Sequence, residues 1–356
     1  MDRGADVVVG RREVPATGSG VHRASEGADR HVNLTAAEVS TALGTPVHGV
    51  EVVETFAASA ADVARLLIRR ADGSGFTVIA KLASGAGRAA ARREVQFFEQ
   101  LAPKWDHPAP QLVGASDTGD RVLLLTEDLG AAGYCVVGTD VTDRQLHGAI
   151  DVLAGFHSRF WNDLTAAPDL EPSVTNSAQA WPPEVITRHA AAVRSEADSF
   201  FAEATELTPT ERAALDEVIT GWERQFQNRV ACGRALTLIH GDFHFLGNIF
   251  FADGDPRPKI IDWSELKPGL GPHDLAYSLS AVPARQPAAQ DLLRYYWEAL
   301  DRPDYSWELC RWDFRFSVIS NLFQSVFQRS VKWYRASLTA MDTLDSRATL
   351  TEPPPT

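Results

Sequence analysis

The stretch HGDFHFLGN places four groups able to hold a metal or move a proton within nine residues: His240, Asp242, His244 and Asn248. Apolar residues lead into it (Leu238, Ile239) and out of it (Ile249, Phe250, Phe251), so it reads as strand, loop, strand. Twenty residues beyond Asp242, Asp262 closes a second apolar run, IIDW, with a turn of Asp253, Gly254 and Asp255 between them. A hairpin over that turn can bring the two carboxylates together. One could orient and deprotonate a hydroxyl nucleophile, while the other holds Mg²⁺ with the amide oxygen of Asn248. Mg²⁺ prefers hard oxygen ligands and completes its shell with water and substrate phosphates. That division of labour is the one phosphoryl transfer requires. It also demands a cation for the phosphates and an acid to hold that cation. Lys81, inside the apolar run TVIAKLA, and Glu94, on the helix that follows, supply the pair.

The elements that must position these groups are legible as patterns. VHGVEVVETF is β-branched and partly alternating; DVARLLIRR and FTVIAKLAS, split by ADGSG, read as a hairpin. Ala89 to Leu101 is rich in helix formers, with Val95, Phe98 and Leu101 on one face and Pro103 as its stop. RVLLLTEDLG reads as a buried strand closed by an acidic turn. Beyond Gly130 the signal is mostly helical. In DVLAGFHSRFW, Leu153, Phe156, His157, Phe160 and Trp161 form one apolar stripe, which makes His157 a packed, hydrogen-bonded helix residue. TPTERAALDEVITGWERQF carries a helix start at Thr208 and Glu211, and PAAQDLLRYYWEAL and WDFRFSVISNLFQSVFQRSVKWYRASL are further helices. The expected division is a disordered arm over 1–33, a β-rich lobe over 34–128, a mainly helical lobe over 129–342 and a flexible tail over 343–356.

Composition narrows the class. The chain has 356 residues, 44% of them hydrophobic, enough for two domains with cores of their own. A formal net charge of −13 argues against an electrostatic nucleic-acid binder. Cys135, Cys232 and Cys310 are far apart and show no zinc or redox spacing, so a reducing cytoplasm is the expected home. No apolar stretch reaches membrane-spanning length, and the first residues show no secretory signal.

The order VIAK, REVQFFEQLAP, LLLTEDLG, LAGFHSRFW, LIHGDFHFLGN, IIDW and DLAYSL resembles the aminoglycoside phosphotransferase and choline-kinase-like family of small-molecule kinases, over residues 47 to about 300. EVQFFEQLAP and LLRYYWEAL look most like its ecdysteroid-kinase-like branch. The resemblance implies an α+β, protein-kinase-like two-lobe fold: a small antiparallel β-sheet N-lobe with one helix, and a mainly helical C-lobe. It implies Lys81 on the nucleotide phosphates with Glu94 as ion-pair partner, and Thr126, Glu127, Asp128 and Leu129 as the linker that holds the adenine through backbone groups. Asp242 would be the catalytic base, and Asn248 and Asp262 the Mg²⁺ ligands. His240 would buttress the loop, and Asp274 would be structural. The sequence departs from the family pattern twice. Asparagine follows the aspartate by six residues rather than five, with Gly247 in the usual place: either Gly247 allows a one-residue bulge, or the second metal ligand is displaced. The loop expected over the phosphates, ETFAASAADV, has no glycine; Ser59 is its small polar candidate for nucleotide contact.

The expected activity is transfer of the γ-phosphoryl group of ATP, or GTP, to a hydroxyl of a small molecule, with antibiotic inactivation as one subclass. The expected protein is a monomer or homodimer. Two other readings compete. A catalytically degenerate kinase-fold binding protein would suit the altered spacing and glycine-free loop. A metal-dependent phosphoesterase would suit GDFH, but the downstream ligand motifs that such enzymes need are missing.

Overall fold

The computed structural model describes residues 32–56, 58, 61–105, 108–162 and 181–355. The expected N-terminal arm therefore lies almost wholly outside the described residues, as does Ser59.

The N-lobe is a five-stranded antiparallel sheet in the order β1-β2-β3-β5-β4. Its strands are β1 (Gly49–Phe56), β2 (Asp62–Arg69), β3 (Gly75–Ser84), β4 (Leu112–Asp117) and β5 (Arg121–Glu127). β2 and β3 form the expected hairpin, with Asp72 accepting from the Ser74 backbone N–H in the turn. Helix α2 (Arg88–Gln96) crosses the sheet and runs into a wide π turn over Phe97–Leu101. Pro103 falls in the last 3-10 turn, Ala102–Lys104. A helix that pattern alone leaves out, α1 (Ala36–Leu43), precedes the sheet. It starts on a reciprocal cap between Thr35 and Glu38 and buries Val39 against Leu66, Leu123 and their neighbours.

The C-lobe begins with α3 (Asp143–Arg159), longer than its apolar stripe suggests because Thr142 and Gln145 cap it reciprocally. α4 (Pro183–Glu203) and α5 (Pro209–Val230) follow. Next come α6 (Pro272–Ala281), α7 (Ala289–Leu300), α8 (Trp307–Phe327) and α9 (Val331–Thr343). The last long helical stretch of the sequence is thus two helices, broken where Arg329 takes a left-handed φ of 50°. Within the stretch 343–356, read from sequence as flexible tail, Arg347–Leu350 form a 3-10 turn in which Leu350 is buried. Its carbonyl accepts from Arg224, and Trp312 donates to the Glu352 carbonyl. The apolar Leu344 and Leu350 anchor a segment whose composition looks tail-like.

Short strands thread this helical lobe. β7 (Thr237–Ile239) pairs with β10 (Lys267–Gly269), and β8 (Ile249–Ala252) pairs with both β6 (Tyr134–Val136) and β9 (Lys259–Ile260). β7 and β8, on either side of the HGDFHFLGN loop, therefore belong to different sheets. The hairpin is the later one, β8 to β9, with Ile249 opposite Ile260.

The approach to that loop is anchored by a fully buried ion pair. Arg229 at the end of α5 donates to both oxygens of Asp313 on α8, at 2.6 and 2.7 Å, and to the carbonyls of Arg234 and Ala235 just before β7. The Tyr305 hydroxyl donates to the same carboxylate at 2.7 Å. Removing one member of such a pair strands a charge in the core. Asp313→Ala should destabilise the protein by about 3–5 kcal/mol in urea unfolding; a loss under about 1 kcal/mol would show that the pair is not structural.

Candidate active site

The loop that carries Asp242 is held from beneath by α6. Asp274, fully buried, accepts the backbone N–H groups of His240 (2.7 Å) and Gly241 (2.9 Å), and meets His157 Nε2 at 3.1 Å. Burial alone would raise its pKa; the His157 hydrogen bond and the neighbouring His157, His273 and His240 rings outweigh burial and hold it down to about 2, so it stays ionised and grips the loop. Gly241 is required here. Its φ is +84°, and a Cβ would sit 2.5 Å from the Glu265 carbonyl oxygen. His240 is buried between two backbones: Nδ1 accepts the Asp242 N–H at 3.2 Å, and Nε2 meets the Ile261 carbonyl at 3.0 Å. It links the Asp242 loop to the segment that bears Asp262.

Asn248 reaches Asp242 despite its longer spacing. The turn from Phe245 to Asn248 closes with Asn248 N donating to the His244 carbonyl at 3.2 Å. The Asn248 side-chain nitrogen then donates to the Asp242 carbonyl (2.8 Å) and carboxylate (2.9 Å). Gly247 does not use a left-handed φ in this turn; a Cβ there would press on His244 Cε1 at 3.2 Å. The extra residue is absorbed by the turn rather than by a glycine bulge. Because the amide nitrogen faces Asp242, the amide oxygen of Asn248 is the atom left for a cation.

Asp262 follows β9, and Ile261 N donates to the Asn248 carbonyl at 3.0 Å, which keeps the two positions adjacent. Asp262 sits at φ 62°, ψ 62°, a left-handed conformation costing on the order of 1–3 kcal/mol outside glycine. Its carboxylate accepts from Lys81 at 2.6 Å and from Ser264 at 2.7 Å. Burial works against its ionisation, but Lys81 outweighs burial and holds its pKa down to about 2. Lys81 donates equally to Glu94, at 2.6 Å. Burial would lower the lysine's pKa; the two carboxylates raise it above its ordinary value. Glu94, buried on α2, is pushed up by desolvation, which Lys81 only partly offsets.

α2 is fixed to this segment by more than Lys81. Arg93 donates to the Ser264 carbonyl at 2.6 Å, and Phe97 in the π turn stacks on Trp263 with ring centroids 3.9 Å apart. Sequence gave no sign of the direct Lys81–Asp262 contact, nor of Tyr277, one helical turn after Asp274, whose hydroxyl faces the Asp242 carboxylate. The (i, i+3) spacing of Asp274 and Tyr277 on a helix was the available signal.

The linker residues lie at the far end of β5. Val78 pairs with Glu127 and Lys81 with Leu124, so Lys81 stands three residues along the sheet, roughly 10 Å at the usual rise per residue. Thr126 is still within the sheet, opposite Ile79 and Leu112. The Glu127 N–H already donates to the Gln111 carbonyl, and the Asp128 carboxylate to which Arg65 donates at 2.8 Å is buried. Leu129 is buried where the chain leaves the sheet.

The donor set suits a hard divalent ion. One carboxylate and one amide oxygen leave most of an octahedral shell to water and phosphate, as Mg²⁺ favours. Among the described residues, no group of three or more His, Cys, Asp or Glu side chains is assembled to hold a metal.

Beside the loop, His273 has a second use as a reporter. Burial holds its imidazole down to about 4, although the Asp274 charge pulls the other way. The unfolded chain, with a pKa near 6.5, takes up a proton that the native protein refuses. This contribution to stability is complete above about pH 6.5 and is lost as pH falls toward 4. The urea midpoint should drop over that window, and His273→Gln should flatten the drop; identical pH profiles for parent and variant would refute it.

A small antiparallel sheet joined to a mainly helical lobe is the α+β architecture of the kinase-like phosphotransferases. Residues 55–307 match the model of the phosphotransferase enzyme family, APH, and the chain belongs to that family. Solved structures agree in fold. Choline kinase LicA from Streptococcus pneumoniae matches at 12% identity and a TM-score of 0.52, covering 86% of this chain and 96% of the other. The gentamicin complex of APH(2'')-IIa matches at 13% and 0.51, covering 87% and 96%. Macrolide 2'-phosphotransferase MphH from Brachybacterium faecium matches at 19% and 0.50, covering 86% and 97%. No curated protein matched. Among the described residues, no helix is long and apolar enough to cross a membrane.

Proposed function

We propose that this protein transfers the γ-phosphoryl group of ATP, or GTP, to a hydroxyl of a small molecule. The observation that carries the reading is the convergence of three chain segments. The β8–β9 hairpin sets Asp262 beside the Asn248 that is bonded to Asp242, and Lys81 joins Asp262 to Glu94 across the lobes. The family membership supports the reaction class, and the choline, gentamicin and macrolide enzymes of similar fold support a small hydroxylated acceptor.

In this reading Asp242 accepts the acceptor's hydroxyl proton, and Asn248 keeps its carboxylate turned to the task. Asp262 and the Asn248 amide oxygen would hold Mg²⁺, which supplies charge neutralisation for the phosphates when bound. Lys81 binds phosphate oxygens, and Glu94 fixes the lysine's position. The turn out of β5, Thr126 to Leu129, holds the base, and the loop containing Ser59 covers the phosphates. Catalysis then rests on positioning and electrostatics rather than on a covalent intermediate. Residues 131–235 and 276–340 set the acceptor, and antibiotic inactivation is one subclass that fits. The test is incubation of the protein with Mg²⁺ and γ-labelled ATP or GTP over a panel of alcohols. Label should pass to an acceptor; binding of nucleotide without transfer to any of them would instead favour a degenerate binding protein.

A further inference from the structure

Helix α6 addresses the loop above it residue by residue. Asp274 takes the backbone N–H groups of His240 and Gly241, at 2.7 and 2.9 Å, and Ser278 Oγ donates to the Phe243 carbonyl. Residues 274, 277 and 278 share one face of the helix, by the i, i+3, i+4 rule. Tyr277, the middle one, turns its hydroxyl to the carboxylate of Asp242, the loop residue between Gly241 and Phe243. One turn of one helix thus meets four consecutive loop residues. Asp274 and Ser278 hold backbone; Tyr277 alone of the three reaches the side chain that takes the proton.

A carboxylate gains from a second support of this kind. The terminal torsion of aspartate is broad, so the group has no strong rotamer well of its own. Asn248 Nδ2 donates to Asp242 Oδ2 at 2.9 Å, and His244 Nε2 stands 3.7 Å from the same oxygen. Both belong to the loop they steady. Tyr277 comes from a different element and is itself held. It is buried, its ring stacks beside His273 with centroids 6.1 Å apart, and Trp333 of α9 meets it edge-on at 6.2 Å. Its hydroxyl also stays protonated: burial first, then the Asp242 charge and the bond to it, push its pKa well above the ordinary value. The phenol is therefore a donor at any working pH, on a helix that does not move with the loop's own side chains.

We infer that Tyr277 is a positioning residue for phosphoryl transfer: its hydroxyl, presented from α6, fixes the Asp242 carboxylate in the orientation that meets the acceptor hydroxyl. The inference rests on the phosphotransferase reading and adds to its machinery a residue from outside the catalytic loop. The test is a double-mutant cycle on the full-length protein: parent, Tyr277→Phe, Asp242→Asn and the double variant. The readout is release of labelled phosphate from γ-labelled Mg²⁺-ATP with water as the acceptor. In that reaction the water oxygen bonds to the γ-phosphorus, the bond from that phosphorus to the ADP oxygen breaks, and Asp242 takes the proton. Phenylalanine keeps the ring and its packing and removes only the hydroxyl. A misplaced reacting group costs on the order of 100-fold, so Tyr277→Phe should lower kcat by roughly 10–100-fold. KM for Mg²⁺-ATP, and the unfolding shift that it causes, should be kept. In the Asp242→Asn background the same substitution should change kcat by less than about twofold, since no carboxylate remains to be positioned. A Tyr277 that only supports the fold would lower kcat alike in both backgrounds. Equal losses in the two backgrounds, a Tyr277→Phe kcat within about twofold of the parent, or a loss confined to KM overturns the inference. A parent protein that releases no phosphate from Mg²⁺-ATP or Mg²⁺-GTP counts against the phosphotransferase reading, and the inference falls with it; turnover in the parent that Tyr277→Phe leaves intact overturns the inference alone.

Discussion

Asp242→Asn should lower turnover by about 10²–10⁴-fold, the usual contribution of a positioned general base, while nucleotide binding persists. The amide nearly matches the carboxylate in shape, and its oxygen can still accept from the Asn248 nitrogen now 2.9 Å away. The loop beneath is held by Asp274 through the backbone of His240 and Gly241, which the substitution does not touch. What is lost is the ability to take a proton and the negative charge that orients the acceptor hydroxyl. The fall should therefore appear in kcat, with the unfolding shift from Mg²⁺-nucleotide unchanged. Retention of more than a tenth of the parent kcat would remove Asp242 from the role of base.

Lys81→Met should damage both nucleotide affinity and the fold. Methionine fills the aliphatic space on β3 but leaves Glu94 buried without its cation, and leaves Asp262 with Ser264 alone among its side-chain donors. Breaking a buried pair costs about 3–5 kcal/mol; the Asp262 side chain is 36% exposed, which argues for a lower figure of about 2–3 kcal/mol. Loss of a charge-assisted contact to phosphate, about 1.5–3 kcal/mol, should weaken nucleotide binding by roughly 10–150-fold. Glu94→Gln separates the two effects. It keeps the Lys81 cation for the phosphates and should weaken binding less than Lys81→Met does. Equal nucleotide affinity in parent and Lys81→Met would show that Lys81 serves the fold alone.

Much of this site was legible because its signals are local. His240, Asp242 and Asn248 fall within nine residues, and the turn Asp253–Asp255 announces the hairpin that returns the chain to Asp262. The β2–β3 hairpin and the buried β5 were equally plain from β-branched and aliphatic runs. What stayed hidden depends on contacts between distant segments. The Lys81–Asp262 pair joins residues 181 apart, and the stack of Phe97 on Trp263 joins two elements whose patterns show only that each is apolar. The aromatic faces of α5 (Trp222, Phe226) and α8 (Phe316, Phe323) meet, and no periodicity shows that they do. α1 was missed for a different reason: its eight residues are too few for a clear apolar stripe, although the Thr35–Glu38 cap is visible in hindsight. The six-residue step from Asp242 to Asn248 suggested either a glycine bulge or a displaced ligand, whereas the chain spends the extra residue in an ordinary turn that keeps Asn248 on Asp242.

The central claim is that Asp262 and Asn248 form a Mg²⁺-nucleotide site. The most direct measurement is thermal unfolding of the parent protein and Asp262→Ala side by side, with ATP and with GTP, each with and without Mg²⁺. Nucleotide at a hundred times its dissociation constant adds about 2.7 kcal/mol, a rise of a few degrees in Tm for a chain of this size. The expected result is a Mg²⁺-dependent rise in the parent protein that is absent in Asp262→Ala. No rise with either nucleotide at millimolar concentration, or the same rise in the variant, would contradict it.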